Sequence, residues 1–380
     1  MQAILEAAGR KVHRYISPHL LRFNERIVLS GTEISDDYLF SLLEECRLAD
    51  QKIGSDVSFF EGVTAAAFLG FSRVPADVLL LEVGLGGRLD ATNVIERPQA
   101  SVLTSISYDH QNVLGNSLEQ IAYEKAHIIK QNSSCIVGLQ TYGVHEVIER
   151  YAYGMNASVM RFGREFVAEI VDEGRWHYRS DLLDIELPTP ALPGLHQYVN
   201  AATAIATLTK CFSLKEEVFR LGVANAKWLG RLSQITRGAL FKILPAGTEL
   251  WVDSAHNESG AQALADWLAS QEKVSTCLIF NMTKNRDVNK FLDKFEGLLD
   301  KIMCTNIYSE PLSYRSDVAK SLIQSEALKN IASNTDTLEE ACQLIASEQG
   351  KYKRVLIAGS LFLISDFLSG NDYIKKLHAL

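Results

Sequence analysis

Short apolar strands alternate with helices along this chain, which predicts an α/β protein with a mostly parallel sheet, divided into two domains. Three observations carry that expectation. The apolar run Asp77-Val78-Leu79-Leu80-Leu81 reads as a buried parallel strand, and the glycine-rich stretch Glu82-Val83-Gly84-Leu85-Gly86-Gly87-Arg88-Leu89-Asp90-Ala91-Thr92-Asn93 follows it. A fresh strand–helix series begins beyond Trp228-Leu229-Gly230-Arg231. The length of 380 residues favours more than one domain. The boundary is expected near residues 225–230, giving domains 1–227 and 228–380.

The chain opens on a short helix, Met1 to Arg10, ended by Gly9. A strand from Lys11 to Ile16 then runs into Ser17-Pro18-His19. An α/β chain ordinarily places a strand and its turn before the first helix, so this opening helix stands unsupported. Helices are expected at Asp36–Ala49 and Glu61–Phe71, and strands at Val78–Val83 and Val102–Ile106. Ser117-Leu118-Glu119-Gln120 fits a capping box that starts another helix. Cys135–Gly138 reads as a strand, Val167–Leu187 as a small antiparallel hairpin, and the alanine-rich Asn200–Cys211 as a helix. In the second domain, strands are expected at Leu250–Val252, Cys277–Phe280, Lys301–Met303 and Val355–Ile357. There is no internal repeat and no low-complexity tract.

Bulk composition narrows the function. A hydrophobic content of 47% supports packed cores, and a net charge of −8 argues against a general nucleic-acid binder. The six cysteines are scattered, with no C-x-x-C pair, which speaks against zinc or disulfide frameworks and for buried thiols in a reducing cytoplasm. No run is long and apolar enough to span a membrane, and Met1 to Lys11 lacks the apolar core of a signal peptide. The expected protein is a cytoplasmic monomer acting on small molecules, with neither nucleic acid nor membrane as partner.

Glu82 stands at the carboxyl end of its strand, where open α/β sheets bind ligands. A carboxylate beside glycine backbone suits a metal–phosphate complex, the glycines admitting phosphate; the alternative is an ordinary tight turn. A dinucleotide fingerprint does not fit. That motif opens a helix, whereas Arg88 to Gln99 carries Asp90, Asn93 and Pro98 and leads straight to the strand Ala100–Ser107. If that strand neighbours the one ending at Glu82, His110 of Asp109-His110 faces the same crevice as a second cation ligand, or is simply hydrogen-bonded. Lys125 shares a helix face with Leu118, Ile121, Ala122 and Ile129. Burial there lowers its pKa and makes the amine reactive, unless its ammonium snorkels to water. Ser17 is a hydroxyl donor for the cation or a turn starter, and Glu61 is a functional carboxylate or a favourable charge at a helix N-terminus. Asp253-Ser254-Ala255-His256-Asn257, between a strand and a helix, is an anion site: Asp253 for ribose hydroxyls, His256 for a phosphate, or N-capping alone.

Together these segments resemble folylpolyglutamate synthase/dihydrofolate synthase, a branch of the Mur ligase family. The matching pieces are Ser17-Pro18-His19-Leu20 with Phe23-Asn24-Glu25-Arg26-Ile27, Phe60-Glu61, the Glu82–Asn93 run, Asp109-His110, Leu114-Gly115 and Glu124-Lys125-Ala126. His196–Asn200, Gly230-Arg231, Asp253–Asn257 and Ala358-Gly359-Ser360 complete them, so the resemblance covers nearly the whole chain. It implies a P-loop-type Mur ligase central domain, N-terminally truncated, followed by a Rossmann-like C-terminal domain. It implies Ser17 and Glu82 as ligands of one magnesium, His110 of a second, and Lys125 as a carbamylated lysine. Ser58, Phe59, Phe60 and Glu61 with Leu89, Asp90 and Ala91 match pterin-substrate contacts. Asn200, Arg231 and Asp253 match contacts to ATP, lying between the domains, and His256 lies near the transferred phosphate. The implied reaction joins L-glutamate to dihydropteroate or folate through an acyl phosphate, with domain closure excluding water. One departure is severe: no G-x-x-x-x-G-K-[ST] loop exists, since Gly350-Lys351 is followed by Tyr352. His127 and Ser254 are smaller departures from the family's motifs. A first strand, the P-loop and an early pterin-contacting segment are therefore expected to be missing, which leaves two strands with open edges and residues 1–380 unable to catalyse ligation. A start placed too late, a descendant that binds folate without turnover, and a cell-wall precursor ligase are the competing readings, and the Glu82–Asn93 run disfavours the last.

Overall fold

The computed structural model describes residues 1–371, and in it the chain divides into two units. The first comprises Met1–Ala191 with Gln197–Ala226; the second comprises Leu192–His196 with the chain from Lys227 onward. The strip Leu192–His196 thus belongs with the residues beyond the expected boundary, a long-range association that no local composition shift marks.

The first unit opens with α1 (Gln2–Ala7) and β1 (Val12–Tyr15), then β2 (Ile27–Leu29), β3 (Thr32–Glu33), α2 (Asp36–Ile53), α3 (Phe59–Arg73) and β4 (Val78–Leu81). It continues with β5 (Ala100–Leu103), α4 (Gln111–Leu114), α5 (Leu118–Ala126), β6 (Ser134–Val137), α6 (Tyr142–Gly154) and β7 (Ser158–Arg161). The strands β8 (Phe166–Asp172), β9 (Arg175–Ser180) and β10 (Asp184–Pro188) precede α7 (His196–Cys211) and α8 (Glu216–Asn225). Helix α2 runs past the expected Ala49 to Gly54, whose left-handed φ of 69° closes it. The capping box expected at Ser117 is present, with Ser117 and Gln120 each accepting the other's amide.

The strands of this unit form three sheets, ordered β3-β2-β1-β4, β5-β6-β7 and β10-β9-β8. Strand β4 runs parallel to β1, with Tyr15 opposite Leu81, and β5 runs parallel to β6. Strands β4 and β5 are therefore both edges and do not neighbour each other, so the condition on which His110 would face the Glu82 crevice is not met by direct pairing. All four residues of β4 are only partly buried, although Val-Leu-Leu-Leu is the kind of run that fills a doubly covered strand. The segment read as a hairpin is a three-stranded antiparallel sheet, because β8 pairs with β9 as β10 does. Trp176 and Tyr178 of β9 turn their rings into the core beneath it, beside Phe166, Ile185 and Leu187.

Helix α1 is anchored at the far end of the unit. A Cβ on Gly222 of α8 would stand 2.5 Å from the Cα of Ile4, so the two helices pack backbone to backbone. Ile4 and Leu5 are buried in the same core as Phe219 and Val223.

The second unit holds a six-stranded sheet in the order β11-β12-β16-β13-β14-β15. Its strands are β11 (Ser233–Ile235), β12 (Glu249–Val252), β13 (Thr276–Phe280), β14 (Lys301–Cys304), β15 (Ala332–Asn334) and β16 (Arg354–Ala358). The short edge strands β11 and β15 were not expected; three residues give too little pattern to read. Every residue of β13 and β16 is buried, as in a central strand covered on both faces. Helix α9 (Glu258–Ser270) follows β12. All six cysteines are free thiols, four of them buried; Cys46 and Cys211 are half-exposed. Burial pushes the Cys135 thiol up to about 12.

Candidate active site

The parallel pairing of β1 with β4 brings Ser17 and Glu82 together. The Ser17 amide donates to Glu82 Oε2 at 3.1 Å, and the Glu82 amide donates to the Tyr15 carbonyl at 3.0 Å. A carboxylate beside a serine is a hard-oxygen donor set, of the kind magnesium uses together with phosphate oxygens. His110 sits just before α4 in the left-handed region, with φ 48°. Asp109 Oδ1 accepts the His110 amide at 2.7 Å and lies 3.6 Å from its Nε2. Among the described residues no three His, Cys, Asp or Glu side chains converge into a metal cluster. The joint Glu82–His110 crevice inferred from neighbouring strands is therefore not a ready-made chelate; the residues fit a site that substrate oxygens complete.

Lys125 lies in the last turn of α5, with Ile121, Ala122 and Ala126 fully buried around it. Burial pushes the lysine's pKa down, and Asp109 and Asp90 oppose the shift. Its surroundings are thus a partly dry face with two carboxylates near by, which agrees with the helical stripe read from the sequence.

The glycines of the loop admit protein, where the sequence suggested phosphate. A Cβ on Gly84 would lie 2.4 Å from Phe60 Cζ, so the Phe60 ring rests on bare backbone. A Cβ on Gly87 would lie 2.8 Å from the Glu124 carbonyl oxygen and 3.0 Å from Ile128 Cγ2. Gly87→Ala is accordingly expected to lower stability by about 1–3 kcal/mol, since a helix carbonyl cannot step aside. A thermal melt matching the unsubstituted chain would show that the loop and α5 do not touch in solution.

Asp90 is turned inward. Its Oδ2 accepts the Leu85 amide at 2.8 Å, and its Oδ1 accepts the Thr92 amide at 2.9 Å and the Thr92 hydroxyl at 2.6 Å. Its carboxylate thus shapes the loop through three hydrogen bonds. Leu89 beside it is exposed, and Ala91 is half-buried. Ser58 and Glu61 form a capping box on α3: the Ser58 amide donates to Glu61 Oε2 at 2.8 Å, and the Glu61 amide donates to Ser58 Oγ at 3.4 Å. Those hydrogen bonds hold the Glu61 carboxyl below its usual range. The helix-start role weighed for Glu61 is present in this capping box.

Phe59 is 68% exposed and meets the Phe23 ring edge-on at 6.0 Å, and Phe23 in turn meets the His19 ring at 5.5 Å. Arg26 donates from Nε to His19 Nδ1 at 2.9 Å and lies over the Phe23 ring. Burial and the Arg26 charge hold the His19 imidazole below its usual pKa. Aromatic and cationic faces of this kind suit a flat heteroaromatic ligand. His19, Phe23 and Arg26 had no role assigned from the sequence. Their signal was present in the Ser17–Ile27 segment, but only the fold sets Phe23 against Phe59.

In the second unit, Asp253 follows β12 and is buried. Its Oδ1 accepts the Ala255 amide at 2.7 Å and its Oδ2 the Leu232 amide at 2.8 Å. Burial pushes its carboxyl up, opposed by Arg231 and by those two hydrogen bonds. His256 Nδ1 lies 3.0 Å from the Ser254 carbonyl, and Asn257 caps α9 by accepting the Gly260 amide. His196 of the same unit feels the Arg231 charge, which together with burial lowers its pKa. Asn200 belongs to the first unit, on α7, where its side-chain amide donates to Gln197 Oε1 at 3.2 Å.

Residues 240–370 match the family model described as the dihydrofolate synthetase C-terminal domain. Dihydrofolate synthase/folylpolyglutamate synthase of Bacillus subtilis is 30% identical over 96% of this chain and 85% of its own length. The protein of the same name from Escherichia coli is 30% identical over 98% of this chain and 83% of its own length. A solved structure described as E. coli FolC with DHPP and ADP superposes with a TM-score of 0.86 at 28% identity, covering 98% of this chain and 85% of that one. A bifunctional folylpolyglutamate synthase/dihydrofolate synthase solved with Mn, AMPPNP and L-glutamate gives 0.83 at 27% identity, covering 97% and 84%.

Proposed function

The chain belongs to the dihydrofolate synthase/folylpolyglutamate synthase family, ATP-dependent ligases of folate biosynthesis, and we propose that its site joins L-glutamate to dihydropteroate or to a folate. A carboxylate oxygen of the pterin substrate attacks the γ-phosphorus of ATP, the bond to the bridging oxygen breaks, and ADP leaves. The glutamate amine then attacks the acyl carbon, the bond to phosphate breaks, and the ammonium proton passes to solvent.

The observation that carries this reading is the meeting of Ser17 and Glu82 at the head of the glycine loop, within a chain that aligns almost end to end with these ligases. Ser17 and Glu82 would hold one divalent cation, with His110 at a second. Bound there, a cation offsets negative charge on the phosphates. The Ser58–Glu61 and Leu89–Ala91 segments, with His19, Phe23 and Arg26, form the pterin side. Arg231 offsets charge on the transferring phosphoryl group, Asp253 and Asn200 hold the nucleotide, and His256 stands near the phosphate. Lys125 carries a carbamate, formed when its neutral amine takes up carbon dioxide and releases a proton.

A second reading, a folate-binding chain without turnover, is favoured by one observation: these residues contain no G-x-x-x-x-G-K-[ST] run to cradle ATP phosphates. One assay separates the readings. The ligase turns over repeatedly only when magnesium and glutamate are present with dihydropteroate or a folate, and it then releases ADP in equal amount to the glutamylated product. Dihydropteroate binding by calorimetry with no ADP release supports the second reading, and neither binding nor turnover removes both.

A further inference from the structure

We propose that Arg88 and Glu124 are positioning residues for Lys125, an inference that rests on the reading of Lys125 as a group at the reacting centre. Lys125 occupies the final turn of α5, where the last carbonyls of a helix lack partners within it. The glycine loop supplies one. The Arg88 amide donates to the Glu124 carbonyl at 3.0 Å, and Arg88 Nε donates to the Glu124 carboxylate at 3.0 and 3.1 Å. Gly87 lies flat on the same turn, where a Cβ would stand 3.2 Å from the Lys125 carbonyl. Beyond the helix, Asn93 Nδ2 donates to the His127 carbonyl and Lys130 Nζ donates to the Asn93 carbonyl, each at 3.2 Å. The loop that begins at Glu82 is thus stitched to the helix end that carries Lys125.

The Arg88–Glu124 pair is the charged stitch, and it sits next in sequence to the lysine. Its side chains are 42% and 22% exposed, so it contributes little to stability. Its guanidinium lies at a helix C-terminus, where a cation is favoured. A weakly stabilising, two-point bracket immediately before Lys125 has one clear consequence: it fixes the rotation of the last turn. The half-buried Lys125 side chain is thereby held on the face of α5 that carries Ile121 and Ala122.

The test uses the full chain with Arg88→Ala, Glu124→Gln and Arg88→Lys. Acylation of Lys125 by an amine-selective reagent is followed by mass spectrometry against the exposed Lys215. Arg88→Ala is expected to raise the relative labelling of Lys125 about fivefold through local opening, while Arg88→Lys stays near the unsubstituted rate. In the ligation assay kcat is expected to fall about tenfold with KM for ATP unchanged, and the melting temperature to move by no more than about 2 °C. Unchanged Lys125 labelling in Arg88→Ala, or a kcat loss that merely tracks a large drop in melting temperature, would overturn the proposal. The underlying reading of Lys125 is tested separately, because Lys125→Ala with full kcat removes it whatever the labelling shows.

Discussion

Glu82→Ala is expected to abolish ATP-dependent ligation and to leave the fold intact. The carboxylate ends β4 and accepts the Ser17 amide at 3.1 Å, so its removal strips away both the negative charge and the group that draws the two strand ends together. The loss at the reacting centre should exceed about a hundredfold, the scale seen when one preorganised electrostatic contact to a transition state is deleted. Stability should hardly change. Glu82 is exposed, and water replaces it as acceptor for the Ser17 amide, so the penalty for an unsatisfied buried donor does not arise. Circular dichroism and a thermal melt check the fold, and initial rates across a magnesium series check the chemistry. Near-normal turnover at limiting magnesium would remove Glu82 from the cation site.

Lys125→Ala is expected to be nearly as damaging, with a distinctive remedy. Burial lowers the pKa of this amine, so more of it is neutral at a given pH than for an exposed lysine. A neutral amine is the form that takes up carbon dioxide, and a carbamate there would replace an awkward half-buried cation by an anion. Alanine leaves room for a small anion. Added acetate or propionate should restore part of the lost kcat, whereas chloride at equal ionic strength should not. Turnover unaffected by the substitution would end the carbamate reading, and failure of every short carboxylate to rescue would confine Lys125 to a packing role.

What could be read from the sequence was whatever depends on near neighbours. The strand before Glu82, the Ser117 capping box, the inward face of α5 at Lys125 and the strand–polar loop–helix unit at Asp253 each span a few residues with a strong local pattern. What could not be read depends on partners far along the chain. Local pattern does not reveal that β5 pairs with β6, or that β8 adds a third strand to the supposed hairpin. The glycines show the same division. Their abundance signalled close approach, but only the fold identifies the intruders as the Phe60 ring and the backbone of α5. The hydrogen bonds by which the Asp90 carboxylate shapes its own loop are likewise visible only in the fold.

The docking of α1 on α8 carries a consequence for how the protein is made. Ile4 meets Gly222 at backbone contact, so α1 leaves the ribosome with its principal partner more than two hundred residues downstream. Such a contact is as non-local as the first unit allows, and non-local contacts form late because a long loop must close first. During synthesis α1 therefore waits, its apolar face uncovered, until the segment through Asn225 has emerged, whereas β1 meets β2 and β4 far sooner. The second unit has its six-stranded sheet within one later stretch of chain and faces no comparable delay. Nascent-chain proteolysis should accordingly find the residues of α1 vulnerable for most of the first unit's translation, and chaperone occupancy should be greatest before α8 is complete.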